Sequence, residues 1–314
     1  MSTFGIQDIG VYIPDSGIDG CELGKKFNVD SEFIHKKLGF DYLRRKGSEQ
    51  ECSDLCVRAF EDLTVKVDND AVDCDCVVVV TQNPDGGGIP HASAIVHRKL
   101  SLPSKTACFD VSLGCTGYVH GLSIICSFLE KNDMRKGLLF TSDPYSRVID
   151  LEDRNSAMLF GDAASCTLIS EQAVYCQGKT DYLMGSQYSQ AIQVSSETGS
   201  LKMHGNQVFR FVAKEVPKQI RKCVSQNGLQ MEDVDLFLVH QGSRYIVETL
   251  ATSLQLPSEK VPFCASQVGN SVSSTLPLML KEHVISSTGP ANILMAGFGV
   301  GLSSTSTVLK RTCV

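Results

Sequence analysis

Short apolar segments alternate with longer amphipathic segments along this 314-residue chain. The apolar segments are nearly continuous, which is typical of strands that are buried on both faces. They span residues 76–81, 105–111, 137–141, 236–240 and 291–296. The amphipathic segments carry apolar residues at helical spacing. They are residues 53–63, the segment after Cys115, and residues 243–254. This alternation predicts an α/β fold in which helices cover the sheets.

The second half of the chain also resembles the first. Asp75–Gln82 and Asp235–Gln241 are similar strand-like segments, and each is followed by a small-residue loop that precedes a helix. The first of these loops holds Cys115 and the second holds Asn270. A matching strand and a Ser/Thr-rich strand then follow in each half. We therefore predict two duplicated halves. They are residues 1–170, which carry a candidate nucleophile, and residues 171–314.

Composition excludes several classes of protein. The net charge is −6, which gives no overall electrostatic attraction to nucleic acid or to an anionic membrane. The N-terminus lacks a basic start and a long apolar run, and no segment has the length of a membrane helix. We expect no nucleic-acid partner and no membrane partner. The basic residues between Lys36 and Lys46 fit either a solvated face or a patch for an anionic ligand or a carrier protein.

Thirteen cysteines, an odd number, fit a reduced cytoplasmic setting in which most of them are small buried apolar residues. The nearest clusters are Cys74 with Cys76 and Cys52 with Cys56. Neither cluster has the paired Cys-x-x-Cys or His spacing of a zinc site. We therefore predict no metal site.

Cys115 is the cysteine with a different placement. It lies in a small-residue loop between a strand-like segment and a helical pattern that begins at Tyr118. A thiol in the first turn of a helix is close to the positive end of the helix dipole, which lowers its pKa. The thiolate is the form that attacks acyl groups. We predict that Cys115 is a nucleophile with a lowered pKa.

His240 and Asn270 are the candidate partners of Cys115. His240 follows a predicted strand and precedes a helix, the position where ligand sites collect in α/β sheets. Asn270 lies in a Gly-Asn-Ser loop and fits either a helix cap or an amide donor to a developing oxyanion. Because duplicated halves place equivalent loops face to face, both residues are expected to converge on Cys115.

Other enzyme signatures are missing or incomplete. Gly297–Gly301 has the glycines of a dinucleotide fingerprint, but the chain ends too soon for the βαβ unit and the ribose-binding acid. The sequence contains no Gly-x-Ser-x-Gly elbow, P-loop or His-Glu-x-x-His. These absences argue against a serine hydrolase, a P-loop nucleotide hydrolase and a zincin.

Taken together, the motifs resemble the β-ketoacyl-acyl-carrier-protein synthase III family of the thiolase superfamily. The resemblance covers nearly the whole chain and rests on segments that occur in the family's order. They are Asp110–Leu122 around Cys115, Asp153-Arg154, Phe160-Gly161-Asp162, Gly205-Asn206 with Phe209, His240-Gln241-Gly242, Gly269-Asn270-Ser271, and Phe298-Gly299 with Gly301. The resemblance implies a five-layer αβαβα fold and a homodimer.

The resemblance also implies a mechanism. Cys115 would take an acyl group from a coenzyme A thioester, with the backbone N–H groups of Cys115 and Gly301 as its oxyanion hole. His240 and Asn270 would then stabilise the enolate that a malonyl-type thioester forms as it loses carbon dioxide. The product would be a β-ketoacyl chain, and an acyl carrier protein is an expected partner. No cofactor is implied, because the coenzyme A thioester is a substrate.

Substrate contacts follow from the same resemblance, with departures from the family pattern. The residues that would bind the substrate are Phe33, Lys37, Arg154, Gly205, Asn206, Phe209 and Ser243. Phe33 stands where bacterial fatty-acid members usually place a tryptophan, Lys37 stands at an arginine position, and Ser243 replaces an asparagine. Ile89, in a glycine-rich loop, would reach the partner's acyl pocket.

These differences leave open whether the enzyme serves fatty-acid synthesis or a specialised, polyketide-like pathway. A relative that passes the acyl group to an alcohol or an amine without chain extension is an alternative. A non-catalytic scaffold partner is a further alternative.

Overall fold

A computed structural model describes residues 4–67, 73–285 and 288–312 of the chain. The strands are β1 (Gly5–Tyr12), β2 (Gly17–Asp19), β3 (Tyr42–Arg44), β4 (Cys76–Val80), β5 (Ala107–Val111), β6 (Lys136–Ser142), β7 (Ala164–Ser170), β8 (Tyr175–Met184), β9 (Ile192–Val194), β10 (Leu201–Met203), β11 (Leu236–Val239), β12 (Asn292–Gly299) and β13 (Ser303–Arg311). The α-helices are α1 (Gly20–Lys26), α2 (Ser31–Phe33), α3 (Cys52–Val67), α4 (Ala92–Lys99), α5 (Gly117–Lys131), α6 (Arg154–Ala157), α7 (Gly205–Gln226), α8 (Arg244–Leu254) and α9 (Thr275–Ile285).

The strand topology repeats. In the first half β4 and β6 are parallel, and β6, β7 and β1 continue as antiparallel neighbours. In the second half β11 and β12 are parallel, and β12, β13 and β8 continue in the same antiparallel way. The halves join where β1 pairs with β8 at Gly5 and Ile6. A Cβ on Gly5 would lie 2.2 Å from the Tyr175 carbonyl oxygen, so only glycine permits this junction. The predicted duplication is confirmed.

Five layers result from the way the helices pack. Helices α3 and α4 cover the outer side of the first half, and α7 and α8 cover the outer side of the second half. Between the halves lie α5, which contacts β4, β6 and β12, and α9, which contacts β1 and β11. This is the αβαβα arrangement that the resemblance implied.

Strand β4 shows why its sequence is continuously apolar. Val77 and Val79 pack into the outer core with α3, whereas Val78 and Val80 pack into the central core with α5. Side chains alternate between the two faces of a strand, so a strand covered on both faces needs apolar residues at every position. All five residues of β4 are buried.

The region that was expected to join the halves, residues 171–200, has more structure than its sequence indicated. It contains the ten-residue strand β8. Eight of its ten residues are partly buried or exposed, so polar residues occupy the strand without regular alternation and give no strand pattern. The boundary between residues 170 and 171 stays a prediction; it falls between the ends of β7 and β8. Among the described helices, none is long and apolar enough to cross a membrane.

Candidate active site

Cys115 lies in the turn between β5 and α5, and its side chain is buried. Thr116 is the residue before the first helical residue, Gly117. Two glycines of β12 allow the close approach of the second half. A Cβ on Gly297 would lie 2.4 Å from the Cys115 carbonyl oxygen, and one on Gly299 would lie 2.7 Å from Cys115 Sγ. Cys115 therefore sits directly against the C-terminal half.

The pKa of Cys115 differs from the prediction. Burial, and next the negative charge of Asp143, raise the pKa of the thiol to about 12. The backbone N–H groups of Cys115 and Val300 hydrogen-bond to the sulfur and lower the pKa, but by less. Desolvation disfavours the charged form of a buried group, and here it outweighs the dipole effect expected from the helix start. The expectation of a lowered pKa is therefore wrong, and the thiol is protonated at neutral pH.

Asp143 is a site residue that the sequence analysis missed. It follows β6 directly and is fully buried. Its Oδ1 accepts a hydrogen bond from the Gln82 N–H at 2.6 Å, and the carboxylate also accepts hydrogen bonds from Thr81 and Ser273. Burial raises the pKa of this carboxyl to about 6, although the hydrogen bond from Gln82 opposes the shift. An acid two residues after the predicted strand 137–141 was the signal that could have identified it.

His240 follows β11 and is fixed by the parallel pairing of β11 with β12. Its backbone N–H donates to the Ala296 carbonyl at 2.9 Å, and its ring meets the Phe298 ring edge-on at 5.5 Å. Burial lowers the pKa of the imidazole to about 3, so the ring is neutral at physiological pH. Nδ1 is buried and has no hydrogen-bond partner in the described parts of the chain. A neutral imidazole has one N–H to donate and one nitrogen to accept.

Asn270 connects the two halves. Its backbone N–H donates to the Leu159 carbonyl at 2.9 Å, and its carbonyl accepts from the Gly161 N–H at 3.0 Å. Its Oδ1 accepts from the Val272 N–H at 3.0 Å, where a short 3₁₀ turn (Val272–Ser274) precedes α9. The side-chain oxygen therefore closes a local turn, and it does not cap α9, which begins at Thr275. The fixed oxygen leaves the amide N–H groups as the polar part of the side chain that can serve a ligand.

A single cavity of about 160 Å³ is lined by Cys115, His240 and Asn270. Its other walls are mostly apolar and include Tyr145, Phe160, Ile192, Val208, Ile246 and Phe298. A wider cleft of about 600 Å³ adjoins it. The residues that line both spaces are Leu38, Leu159, Met203 and Gly205. The cleft is thus the approach to a small, buried chamber that holds the three polar residues.

The predicted substrate-binding residues fall into two groups. Those that line a cavity are Phe33, Arg154, Gly205 and Asn206 in the cleft and Ser243 in the chamber. Ser243 also caps α8, because its Oγ accepts from the Ile246 N–H at 3.3 Å. Lys37 and Phe209 line neither space. Lys37 Nζ lies 4.1 Å from the centre of the Tyr245 ring, and Phe209 stacks on the same ring at 5.4 Å.

The remaining predicted site residues are Gly301, assigned to the oxyanion hole, and Ile89, assigned to a contact with a second copy. The backbone N–H that reaches the Cys115 sulfur from the end of β12 is that of Val300, the residue before Gly301. The oxyanion-hole role of Gly301 stays a prediction. Ile89 is 89% exposed and does not contact the chamber of its own chain. Its proposed contact with a second copy stays a prediction. No cluster of three or more metal-ligating side chains occurs within residues 4–67, 73–285 and 288–312.

A cysteine at a helix start facing a histidine and an asparagine across two duplicated halves defines a thiolase-like acyltransferase. Family models agree. Residues 109–200 match 3-oxoacyl-[acyl-carrier-protein] synthase III, and residues 224–311 match the C-terminal part of the same family. The β-ketoacyl-[acyl-carrier-protein] synthase III of Streptococcus sanguinis is 31% identical, with 95% of this chain and 96% of that protein covered. The chain therefore belongs to the 3-oxoacyl-[acyl-carrier-protein] synthase III family.

Solved structures agree with this assignment. A 3-oxoacyl-(acyl-carrier-protein) synthase III superposes with a TM-score of 0.91 at 26% identity, covering 98% of this chain and 99% of that one. The enzyme from Thermus thermophilus gives 0.90 at 25% identity, with 99% and 100% covered. The priming β-ketosynthase of the R1128 polyketide pathway gives 0.89 at 26% identity, with 98% and 96% covered. The thiolase-like fold is confirmed.

Proposed function

We propose that this protein condenses an acyl group held on Cys115 with a malonyl-type thioester, releasing carbon dioxide and a β-ketoacyl product. The observation that carries this proposal is the shared chamber. It places one thiol, one neutral imidazole and one amide around a volume that only small reacting groups can fill. Membership of the synthase III family supports the same chemistry.

In the first step the Cys115 sulfur attacks the carbonyl carbon of an acyl-coenzyme A. A new S–C bond forms, the bond from that carbon to the coenzyme A sulfur breaks, and the thiol proton leaves with coenzyme A. The backbone N–H groups of Cys115 and Val300 point at the sulfur. We assign them as the donors to the oxyanion of the tetrahedral intermediate.

In the second step His240 and Asn270 donate hydrogen bonds to the thioester oxygen of the malonyl group. Decarboxylation puts negative charge on that oxygen, and donors placed for the charged form lower the barrier. The enolate carbon then attacks the acyl carbonyl on Cys115; a C–C bond forms, the S–C bond breaks, and the sulfur leaves with the electron pair and takes up one proton from solvent. A neutral His240 suits a hydrogen-bond donor better than a proton carrier, because its pKa of about 3 keeps it uncharged.

The cleft suits the coenzyme A part of the thioester substrate. Phe33 is 42% exposed and offers a face for stacking, and Arg154 offers a positive charge. We propose coenzyme A thioesters as substrates and an acyl carrier protein as a partner at this opening, with Gly205, Asn206 and Ser243 along the path. Lys37 and Phe209 would act beside the opening through their contacts with Tyr245.

We also propose a homodimer in the cytoplasm. Strand β5 lies at the edge of the sheet, where β4 is its one partner among the described strands, and its five residues are only partly buried. The backbone N–H and C=O groups along such an exposed edge can pair with a strand from a second copy of the chain. The exposed Ile89 is an apolar side chain that a second copy would cover.

The test combines a condensation assay with intact-protein mass spectrometry. The wild-type protein, an acyl-coenzyme A and malonyl thioester labelled in the free carboxyl should give labelled carbon dioxide and a β-ketoacyl product. Cys115→Ala should give neither an acyl adduct nor the product. A wild-type adduct that is passed to an alcohol or an amine, with no β-ketoacyl product, would contradict condensation.

A further inference from the structure

A second thiol, that of Cys21, lies beside a histidine and an aspartate outside the chamber. Its Sγ is 3.7 Å from His35 Nε2, and His35 Nδ1 is 2.6 Å from Asp41 Oδ1. These three residues form the Cys21 triad, and none of them lines the chamber or the cleft. Their order is that of a nucleophile, a base and a carboxylate that orients the base.

The short strands β2 and β3 bring Cys21 next to Asp41. The two strands pair antiparallel, and beyond their last pair the Gly20 N–H donates to the Asp41 carbonyl at 2.8 Å. A Cβ on Gly20 would lie 2.4 Å from the Phe40 carbonyl oxygen, so a larger residue would disrupt this approach. The backbone therefore fixes the thiol and the carboxylate relative to each other.

The His35 ring is oriented by its own hydrogen bonds and by those of Asp41. The His35 carbonyl accepts from Arg244 Nε at 2.9 Å, and Asp41 Oδ2 accepts from Ser266 Oγ at 2.5 Å. Although burial opposes the shift, the hydrogen bonds from Ser266 and His35 hold the pKa of the Asp41 carboxyl below its ordinary value. The charged carboxylate accepts the Nδ1–H, which leaves Nε2 to accept the proton of the Cys21 thiol.

The Cys21 triad is open to small molecules. The side chain of His35 is 52% exposed and that of Asp41 is 38% exposed, whereas Cys115 is buried in the chamber. Cys21 itself is partly buried. An accessible thiol with a base beside its sulfur suits disulfide exchange, in which a thiolate attacks a disulfide sulfur.

We propose that Cys21 is a site of reversible modification that forms mixed disulfides with low-molecular-weight disulfides, with His35 as its base. His35 Nε2 takes the thiol proton, and the Cys21 sulfur attacks one sulfur of the disulfide. A new S–S bond forms, the old one breaks, and the second sulfur leaves with the electron pair and takes the proton from His35. Cys21 is oxidised and the leaving thiol is the reduced product, so an added thiol reverses the reaction.

The test incubates the protein with glutathione disulfide at neutral pH and follows each cysteine-containing peptide by mass spectrometry. Cys264, which is exposed, is the reference thiol in the same sample. Cys21 should form the mixed disulfide at least about tenfold faster than Cys264, because exposure without a neighbouring base does not activate a thiol. Dithiothreitol should remove the adduct.

His35→Asn keeps a donor for Asp41 and removes the base beside the sulfur. It should slow the modification of Cys21 by at least about tenfold, since a positioned base usually contributes about 10²-fold or more. His91→Asn is the matched control, because His91 is exposed at the start of α4, outside the triad, and its replacement should leave the rate unchanged.

Two results would overturn the inference. One is a wild-type protein in which Cys21 reacts no faster than Cys264, which decides the question whether or not a variant folds. The other is a folded His35→Asn protein in which Cys21 reacts as fast as in wild type. Both results are independent of the acyl chemistry at Cys115.

Discussion

Replacing Asp143 with asparagine tests how the site controls the reactivity of the Cys115 thiol. The buried charge of Asp143 is the second-largest cause of the raised pKa of Cys115, after burial itself. Asparagine keeps an oxygen for the Gln82 N–H and removes the charge. The substitution should therefore lower the pKa of the Cys115 thiol and increase its thiolate fraction.

The size of the effect follows from the pKa values. The thiol pKa rises from an ordinary 9.0 to about 12, so the thiolate costs about 4 kcal/mol more than in water. Because burial is the larger cause and remains in the variant, Asp143→Asn should recover less than half of this cost. The reaction rate of the thiol at pH 8 should rise by about three- to thirty-fold.

The pH dependence gives the sign of the effect. Burial raises the pKa of Asp143 to about 6, so its carboxyl is charged above pH 7 and protonated below pH 5. The variant should therefore react faster than wild type above pH 7. Below pH 5, where neither side chain is charged, the two rates should converge.

The assay is the labelling rate of the Cys115 peptide with methyl methanethiosulfonate between pH 5 and 9, followed by mass spectrometry. Cys264 is exposed and serves as a reference thiol in the same sample. Asp181→Asn is the matched control, because this buried carboxylate pairs with Lys222 at 2.6 Å. Equal or slower labelling of Asp143→Asn at pH 8 would refute the reasoning, as would a wild-type rate that levels off below pH 9.

Three further predictions concern the partners of Cys115. His240→Ala and Asn270→Ala should each slow condensation by about 10²–10³-fold, as is usual for the loss of one oxyanion donor, and should slow acylation much less in the mass-spectrometric assay. Gly299→Ala should slow acylation at least about tenfold, since its Cβ would lie 2.7 Å from the sulfur. The folded-state pKa of His240, about 3, lies below the ordinary 6.5, so protonation favours the unfolded chain as the pH falls. Wild type should therefore lose about 3 kcal/mol more stability than His240→Gln between pH 7 and 4.5 in urea unfolding.

The sequence was sufficient to predict the fold because burial imposes local patterns. The continuous valines of β4 and the helical spacing after Cys115 follow directly from layers that are covered on both sides. The similarity of the two halves then predicted the duplication, and the family resemblance implied the five layers. Strand β8 was missed because partial burial leaves no alternation in its sequence.

The candidate site was predictable only where a residue lies directly beside a recognisable strand or helix in the sequence. His240 follows a strand and Asn270 precedes a helix, so both could be singled out. The pKa of Cys115 could not be predicted, because it depends on how deeply the packed halves bury the sulfur and on Asp143 from another strand. The role of Val300 likewise depends on the contact between β12 and the Cys115 turn.

The central claim is that Cys115 carries the acyl group to a decarboxylating partner, and a single-turnover experiment tests it most directly. Acyl-enzyme is prepared, freed of coenzyme A, and mixed with malonyl thioester labelled in the free carboxyl. We predict that one labelled carbon dioxide is released for each acyl group lost from Cys115, with one β-ketoacyl product formed. An adduct that persists, or that leaves by hydrolysis while the label stays on the malonyl group, would contradict the account.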